Sequence, residues 1–265
     1  MLKLPDLESD GHIHTSLCNH AVGTMEEYVR AALERGLHTM TFLEHMEVGI
    51  RSGPRTWLTE ADFEEYFREG NRLKDIYGGR ITIRLGVEAG CNPEASDRLK
   101  AALDRHPWDW VGLSYHFFAV GDTHCNLVSR RRDDLARLAA LGIDRVVTAY
   151  LDGLLAALQS IRPDVVCHLD AVLRHHPDLR FRASHLQQFD TLLRTMADLG
   201  VALEINTSGY DIRDQPFPGP DITARAMALA IPLVAGSDAH HPREVGRYFD
   251  RLPGYLAEAA SCSSG

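Results

Sequence analysis

Short apolar runs alternate along the chain with longer stretches whose apolar residues recur at helical spacing. The runs near Ser9–His14, Thr39–His45, Ile81–Glu88, Trp110–His116, Asp164–Asp170, Val201–Asn206 and Leu233–Asp238 predict strands. The stretches between them carry helix punctuation. Thr24 and Glu27 form a capping-box pattern, Met25, Tyr28, Val29, Ala32 and Leu33 make one apolar stripe, and Gly36 stops that helix. Thr59 opens the next helix, which Gly78-Gly79 closes; Ser184–Leu199 ends in Gly200; Asp221 is expected to cap a fourth. Strands that are almost wholly apolar, each followed by a helix, imply a parallel sheet covered on its outer face. About seven such units in 265 residues predict an α/β fold closed into a barrel as a single domain, rather than a doubly wound sheet. No G-x-G-x-x-G follows the first strand and no G-x-x-x-x-G-K-[ST] occurs, which weakens dinucleotide and P-loop readings.

The polar exceptions to this pattern fall at strand ends. His12 and His14 close the first predicted strand, His45 the second, Glu88 the third, His116 the fourth, His168 the fifth, and Asp238 and His240 the last, with His20 in the loop after the first. In a parallel barrel these ends converge on one mouth. Alternate residues on a strand share a face, so His12-Ile13-His14 can present two imidazoles to one ion. A single H-x-H says little; seven histidines and two carboxylates converging on one rim predict a metal site. That ligand set suits zinc, iron or manganese, and its size suits two to three divalent ions with a bridging carboxylate. Such ions would leave the site strongly positive even after Glu88 and Asp238, which favours a phosphorylated substrate.

Composition narrows the picture. The net charge is -9, and the one dense basic run, Ser129-Arg130-Arg131-Arg132, is followed at once by Asp133-Asp134, so it reads as a solvated helix start. Duplex nucleic acid is not an expected partner. Met1 to Asp10 lacks an apolar leader and no apolar run approaches the ~18 residues of a membrane span, so a cytoplasmic protein is expected. Five cysteines, Cys18, Cys91, Cys125, Cys167 and Cys262, show no paired spacing. The oligomeric state is not legible.

The segments DGHIHT with His20 beyond it, GLHTMTFLEH, LGVEAG, GLSYHF, VCHLD and AGSDAH together resemble the polymerase and histidinol phosphatase (PHP) superfamily, in the family's order and over nearly the whole chain. The resemblance implies a distorted (β/α)7 TIM-like barrel. It implies one ion held by His12, His14, Glu88 and Asp238, a second by Glu88, His116 and His168, and a third by His20, His45 and His240. RPDVVCHLD and LEINTSGYDIR resemble histidinol phosphatases, which hydrolyse L-histidinol phosphate to L-histidinol and phosphate in histidine biosynthesis. Two features depart from the family pattern: Cys167 stands where glycine is usual, and 121–145 follows no expected pattern after the fourth strand.

The implied reaction is phosphomonoester hydrolysis, with bound ions lowering the pKa of a water and neutralising the transferring group. Glu88, Asp238, His240 and Asp170 are the candidate catalytic residues; Asp170, a bound water and a mouth histidine are each candidates for the acid that protonates the leaving alkoxide. Asp10 and Asp170, each two positions from a candidate ligand, are candidates to orient an imidazole. A guanidinium fork suits the phosphoryl oxygens, and Arg213 is preferred over Arg174, Arg180 and Arg243. Tyr210 and His175 could line the pocket, and Asp211, Asp214 or Glu47 could face a substrate amine. Cys18 and Cys167 are more readily buried filler than ligands. The alternatives are another PHP phosphoesterase acting on nucleotide ends, cyclic phosphodiesters or other small phosphates, and a non-catalytic PHP module supporting a partner protein. An amidohydrolase-like barrel would need a bridging lysine, and Lys3, Lys74 and Lys100 lie away from the strand ends.

Overall fold

The computed structural model describes residues 4–262, without the Cys262 side chain; Lys3 lies outside them. The strands are β1 (Ser9–Ile13), β2 (Thr39–Glu47), β3 (Thr82–Gly90), β4 (Trp110–Ser114), β5 (Phe117–Val120), β6 (Thr123–Asn126), β7 (Val165–Val166), β8 (Ala202–Asn206) and β9 (Leu233–Gly236). The helices are α1 (Met25–Glu34), α2 (Glu60–Tyr77), α3 (Ser96–Leu103), α4 (Arg132–Ala140), α5 (Ile143–Ile161), α6 (Ala183–Leu199), α7 (Tyr210–Arg213), α8 (Pro220–Ala228) and α9 (Leu252–Cys262). Seven strands form one parallel sheet in the order β1-β2-β3-β4-β7-β8-β9. Its ends meet where the His14 amide donates to Ala239 O at 3.0 Å and the Ala239 amide to His12 O at 3.4 Å. The result is a nearly closed, distorted TIM-like barrel.

Burial explains the apolar strands. Every residue of β8 is buried, and only one of β2 is not. The α1 stripe of Tyr28, Val29 and Ala32 packs with Met40 and Phe42 of β2, while Leu154 and Leu158 of α5 and Phe189 and Leu193 of α6 pack with Leu113, Val166 and Leu203. Each fully buried Leu or Phe contributes roughly 1.5–3 kcal/mol. The expected helix ends are present: Thr24 makes its capping box with Glu27, Thr59 makes one with Asp62, and Gly200 ends α6 at φ +72°. Asp221 is not a cap; it lies in the first turn of α8, behind Gly219 as cap and Pro220. Among the described residues no helix is long and apolar enough to cross a membrane.

Three strands stop earlier than expected, each for a local reason. β4 ends at Ser114 because the chain turns into the β5–β6 hairpin, closed by Gly121-Asp122 between the paired Val120 and Thr123. β7 keeps two residues because His168 swings to φ +25° and donates its amide to Glu204 Oε2 at 2.7 Å rather than to a strand. β9 ends at Gly236: the Ser237 amide donates to Asp10 Oδ1 at 2.9 Å, and Asp238 turns to φ +51°. Backbone in the left-handed region is uncommon for residues other than glycine and concentrates at functional sites. Here it turns His168 and Asp238 off their strand lines at the barrel mouth.

Candidate metal centre

The parallel register sets the candidate ligands side by side, pairing His45 directly with Glu88 across β2 and β3. Glu88 is fully buried at the middle of the cluster. Its Oε1 lies 2.8 Å from His168 Nε2 and 3.3 Å from His116 Nε2. Its Oε2 lies 2.8 Å from His45 Nδ1, 3.6 Å from His12 Nε2 and 3.8 Å from His14 Nε2. Asp238 Oδ1 lies 3.3 Å from His14 Nε2 and 3.9 Å from His12 Nε2. His20 and His240 meet at 2.9 Å between their Nε2 atoms. All nine residues expected at the mouth therefore come together. Donor atoms within one ion's reach group as His12, His14 and Asp238; as His45, Glu88 and His116; and as His14, His45 and His240. Cys18, fully buried in the apolar core, joins His20 and His240 in a further such group, and Cys167 joins His12 and Glu204 in another.

The tautomers show that this donor set fits metal ions. His12 Nδ1 contacts Glu204 Oε1 at 2.7 Å, His20 Nδ1 contacts Cys18 O at 3.0 Å, and His240 Nδ1 contacts Asp238 O at 3.0 Å. Each acceptor requires a proton on Nδ1, which in the neutral imidazole leaves the Nε2 lone pair bare. Two bare lone pairs then face each other at 2.9 Å in the His20–His240 pair, and His12 Nε2 stands equally close to His14 Nε2. Such contacts repel unless a cation lies against both nitrogens, and imidazole nitrogens with carboxylates are the donors that zinc, iron and manganese take.

Sequence reasoning missed the carboxylates behind the histidines. Glu204 holds His12, Glu47 Oε1 lies 2.9 Å from His116 Nδ1, and Glu44 Oε2 faces His14 Nδ1 at 3.7 Å. Burial pushes the Glu44 carboxyl up to about 7, against hydrogen bonds from Thr15. Burial also opposes charge on His116, but Glu88 and Glu47 outweigh it and hold the imidazolium up to about 10. Glu44 and Glu204 sit within strands read simply as apolar, and Glu47, considered only as a partner for a substrate amine, lies two residues past the expected end of its strand. They make the centre less positive than a balance drawn on Glu88 and Asp238 alone.

A cavity of about 590 Å³ opens onto the cluster. Seven of the nine residues line it, and His12 and His14 lie buried beneath. Its outer wall is Glu47, Thr56, Phe117, Asn126, Val128, Arg130, Arg174 and His175. The hairpin and the segment after it, part of the stretch that departs from the family pattern, thus supply Asn126, Val128 and Arg130. Arg130 was read as part of a solvated run, and the structure instead puts it on this wall. Arg174 is half-buried; among the described residues its Nε has no hydrogen-bond partner and no carboxylate lies within ion-pair distance. Burial, then Arg174 and Arg130, lower His175 to about 4.

Several other expectations need correction. Arg213 does not face the cavity: its guanidinium donates to Asp170 Oδ2 at 2.9 Å and Oδ1 at 3.0 Å, and stacks on Phe217 with 3.9 Å to the ring centroid. Asp170 is correspondingly occupied, taking a further bond from the Gly219 amide at 3.0 Å, and is absent from the cavity wall as a proton donor. Asp10 orients no imidazole; it accepts the amides of His12, Ser237 and Gly246. Arg180 lies in a separate groove and donates to Pro177 O and Leu179 O. Tyr210 packs against Tyr248 and under Arg251. Arg243 lies in the short turn Pro242–Glu244, outside the cavity. Asp211 pairs with Arg247 and Asp214 with Arg251, so of the acids considered for an amine only Glu47 reaches the wall. Cys167 is buried with its sulfur near His12 and Glu204, in space that Gly112 leaves open.

The sequence model of the PHP domain matches residues 10–208, and that of the PHP-associated region matches 223–254. The chain belongs to the PHP domain family. Among PHP relatives, a "Probable histidinol-phosphatase" of Deinococcus radiodurans is 34% identical over 247 residues, covering 91% of this chain and 89% of that protein. The "Histidinol-phosphatase" of Bacillus subtilis is 30% identical over 260 residues, covering 91% and 96%. The crystal structure of histidinol phosphate phosphatase from Lactococcus lactis, complexed with zinc, L-histidinol and phosphate, superimposes with a TM-score of 0.77 at 22% identity, covering 95% of this chain and 93% of that one. This chain is accordingly a PHP-family phosphatase, dependent on divalent metal.

Proposed function

We propose that this PHP phosphatase hydrolyses L-histidinol phosphate. The observation that carries the reading is Arg174, a guanidinium without an acidic partner among the described residues, on the wall of a cavity floored by seven of the nine histidine and carboxylate candidates. His12, His14, His20, His45, Glu88, His116, His168, Asp238 and His240 would hold two to three ions, with Glu88 between them. When bound, such ions supply Lewis acidity and an activated water. Arg174, with Arg130 beside it, meets the phosphoryl oxygens. Phe117, Val128, Thr56 and Asn126 flank the leaving group with one aromatic ring, one apolar surface and two neutral polar partners. The names of the relatives and the ligands of the Lactococcus lactis structure support the substrate assignment.

One observation favours a second reading. Arg130 adds a second cation to the wall, and Glu47, the acid there, is engaged with His116. That charge balance suits a substrate with a further anionic group, such as a nucleotide end. Phosphate release from histidinol phosphate, a nucleoside monophosphate and p-nitrophenyl phosphate separates the two. Histidinol phosphate should exceed p-nitrophenyl phosphate in kcat/KM by at least about a hundredfold, roughly 2.7 kcal/mol, because fixing the remote end lowers the entropy cost of the transition state. Equal rates on those two esters would discard the histidinol reading, and a preference for the nucleotide would replace it with the second.

A further inference from the structure

A histidine that ligates through Nε2 must keep its proton on Nδ1, and whatever accepts that proton fixes the ring. His20 and His240 use backbone carbonyls at the rim, whereas His12 and His116, deeper in the cluster, meet Glu204 at 2.7 Å and Glu47 at 2.9 Å. Both glutamates are buried, and Glu204 also accepts the His168 backbone amide and the Asn206 side-chain amide. Each carboxylate lies over a glycine of the neighbouring strand. Glu47 is in register with Gly90, and a Cβ on Gly90 would fall inside its carboxylate. A Cβ on Gly236 would strike Glu204 and lie 2.9 Å from His12 Cβ. Neither glycine is at positive φ, so the backbone accepts alanine at both positions. At Gly90 the Glu47 carboxylate excludes it; at Gly236 the Glu204 carboxylate and the His12 Cβ both do.

We infer that Glu47 and Glu204 are positioning residues for His116 and His12, and that Gly90 and Gly236 exist as the spaces those carboxylates occupy. This rests on the metal-centre reading. A carboxylate on Nδ1 makes the imidazole a stronger donor and locks its plane, and losing such a partner typically weakens metal affinity 10- to 100-fold. Gly90 makes the inference separable from a general packing role, because alanine there changes no charge and meets the Glu47 carboxylate first, whereas a Cβ at Gly236 also presses on His12.

The test compares the wild type with Glu47→Gln, Gly90→Ala, Glu204→Gln and Gly236→Ala, all as full chains. Gly70→Ala is the control: its Cβ would strike Leu85 between α2 and β3, away from the cluster. The readouts are zinc affinity by chelator competition, the visible spectrum of the cobalt(II)-loaded protein, and Tm without metal. Each of the four variants should bind zinc about 10- to 100-fold more weakly. The cobalt spectrum of Gly90→Ala should shift as that of Glu47→Gln does, and that of Gly236→Ala as that of Glu204→Gln does. Gly70→Ala should lose Tm and keep wild-type affinity and spectrum. Folded Gly90→Ala and Gly236→Ala proteins with wild-type affinity and spectra would overturn the inference. If the wild type itself binds no metal, the metal-centre reading fails first and the inference falls with it.

Discussion

Replacing Arg174 by methionine separates phosphate recognition from structural support. The guanidinium lies on the cavity wall, 5.9 Å from the Phe217 ring centroid, with Nε unpartnered and no ion pair to break among the described residues. Methionine keeps much of its apolar contact, so stability should change little. A charge-assisted hydrogen bond contributes about 1.5–3 kcal/mol, and a guanidinium fork can offer two. Losing about 3–4 kcal/mol of transition-state stabilisation corresponds to roughly two hundred- to a thousandfold in kcat/KM. Arg213→Met makes the contrast, because it removes both bonds to Asp170 and leaves a carboxylate that is only 2% exposed without its partner. Breaking one side of such a pair costs about 3–5 kcal/mol of stability. Steady-state phosphate release and urea unfolding on both variants give the comparison. The assignment is refuted if Arg174→Met stays within about threefold of wild type, under about 1 kcal/mol, while Arg213→Met is folded, stable and inactive.

Glu88→Gln keeps the side-chain shape but removes the charge between His45 on one side and His116 and His168 on the other, so elemental analysis should find more than one metal equivalent lost, with nearly all turnover; near-normal metal content would remove the bridge. His175 should titrate near 4 in the metal-free protein, because burial first and then Arg174 and Arg130 disfavour its imidazolium; NMR should find that value raised in Arg174→Met. Its folded pKa is depressed from 6.5, so the unfolded chain binds the proton first, and this group's contribution to stability is lost as pH falls from 6.5 toward about 4. Thr24→Ala should cost about 1 kcal/mol in urea unfolding, since Thr24 and Glu27 satisfy each other's amides at the start of α1; an unchanged midpoint would discount the capping box.

The barrel and its nine-residue rim were legible because both are encoded by order. Apolar runs give strands, parallel closure gathers their ends, and a polar residue that stops an apolar run stands out. His45 beside Glu88 needs no more than that register. Glu44 and Glu204 did not stand out, and Glu47 did so only as a partner for a substrate amine, because an acid inside or at the end of a strand reads the same whether it backs a histidine or faces water. For Glu47 and Glu204 the signal is indirect, a glycine on the next strand that only a three-dimensional register reveals. The arginines failed for a related reason. Distance from the mouth along the chain does not say which guanidinium is already engaged, and Asp170, only two residues from His168, captures Arg213 and leaves Arg174 free. The hairpin had a usable signal: Gly121-Asp122 between FFAV and THCN fits a two-residue turn. The apolar run of β4 ahead of it obscured that turn, and with it the wall carrying Asn126, Val128 and Arg130.

Metal content measured together with turnover on one sample tests the central claim most directly. Protein purified without chelator, analysed for zinc, iron and manganese and assayed for phosphate release, should carry about two to three equivalents, as the ligand count requires. Chelation should abolish turnover, and restoring the metal should return it. One equivalent or less with full activity, or turnover that survives complete chelation, would contradict the account.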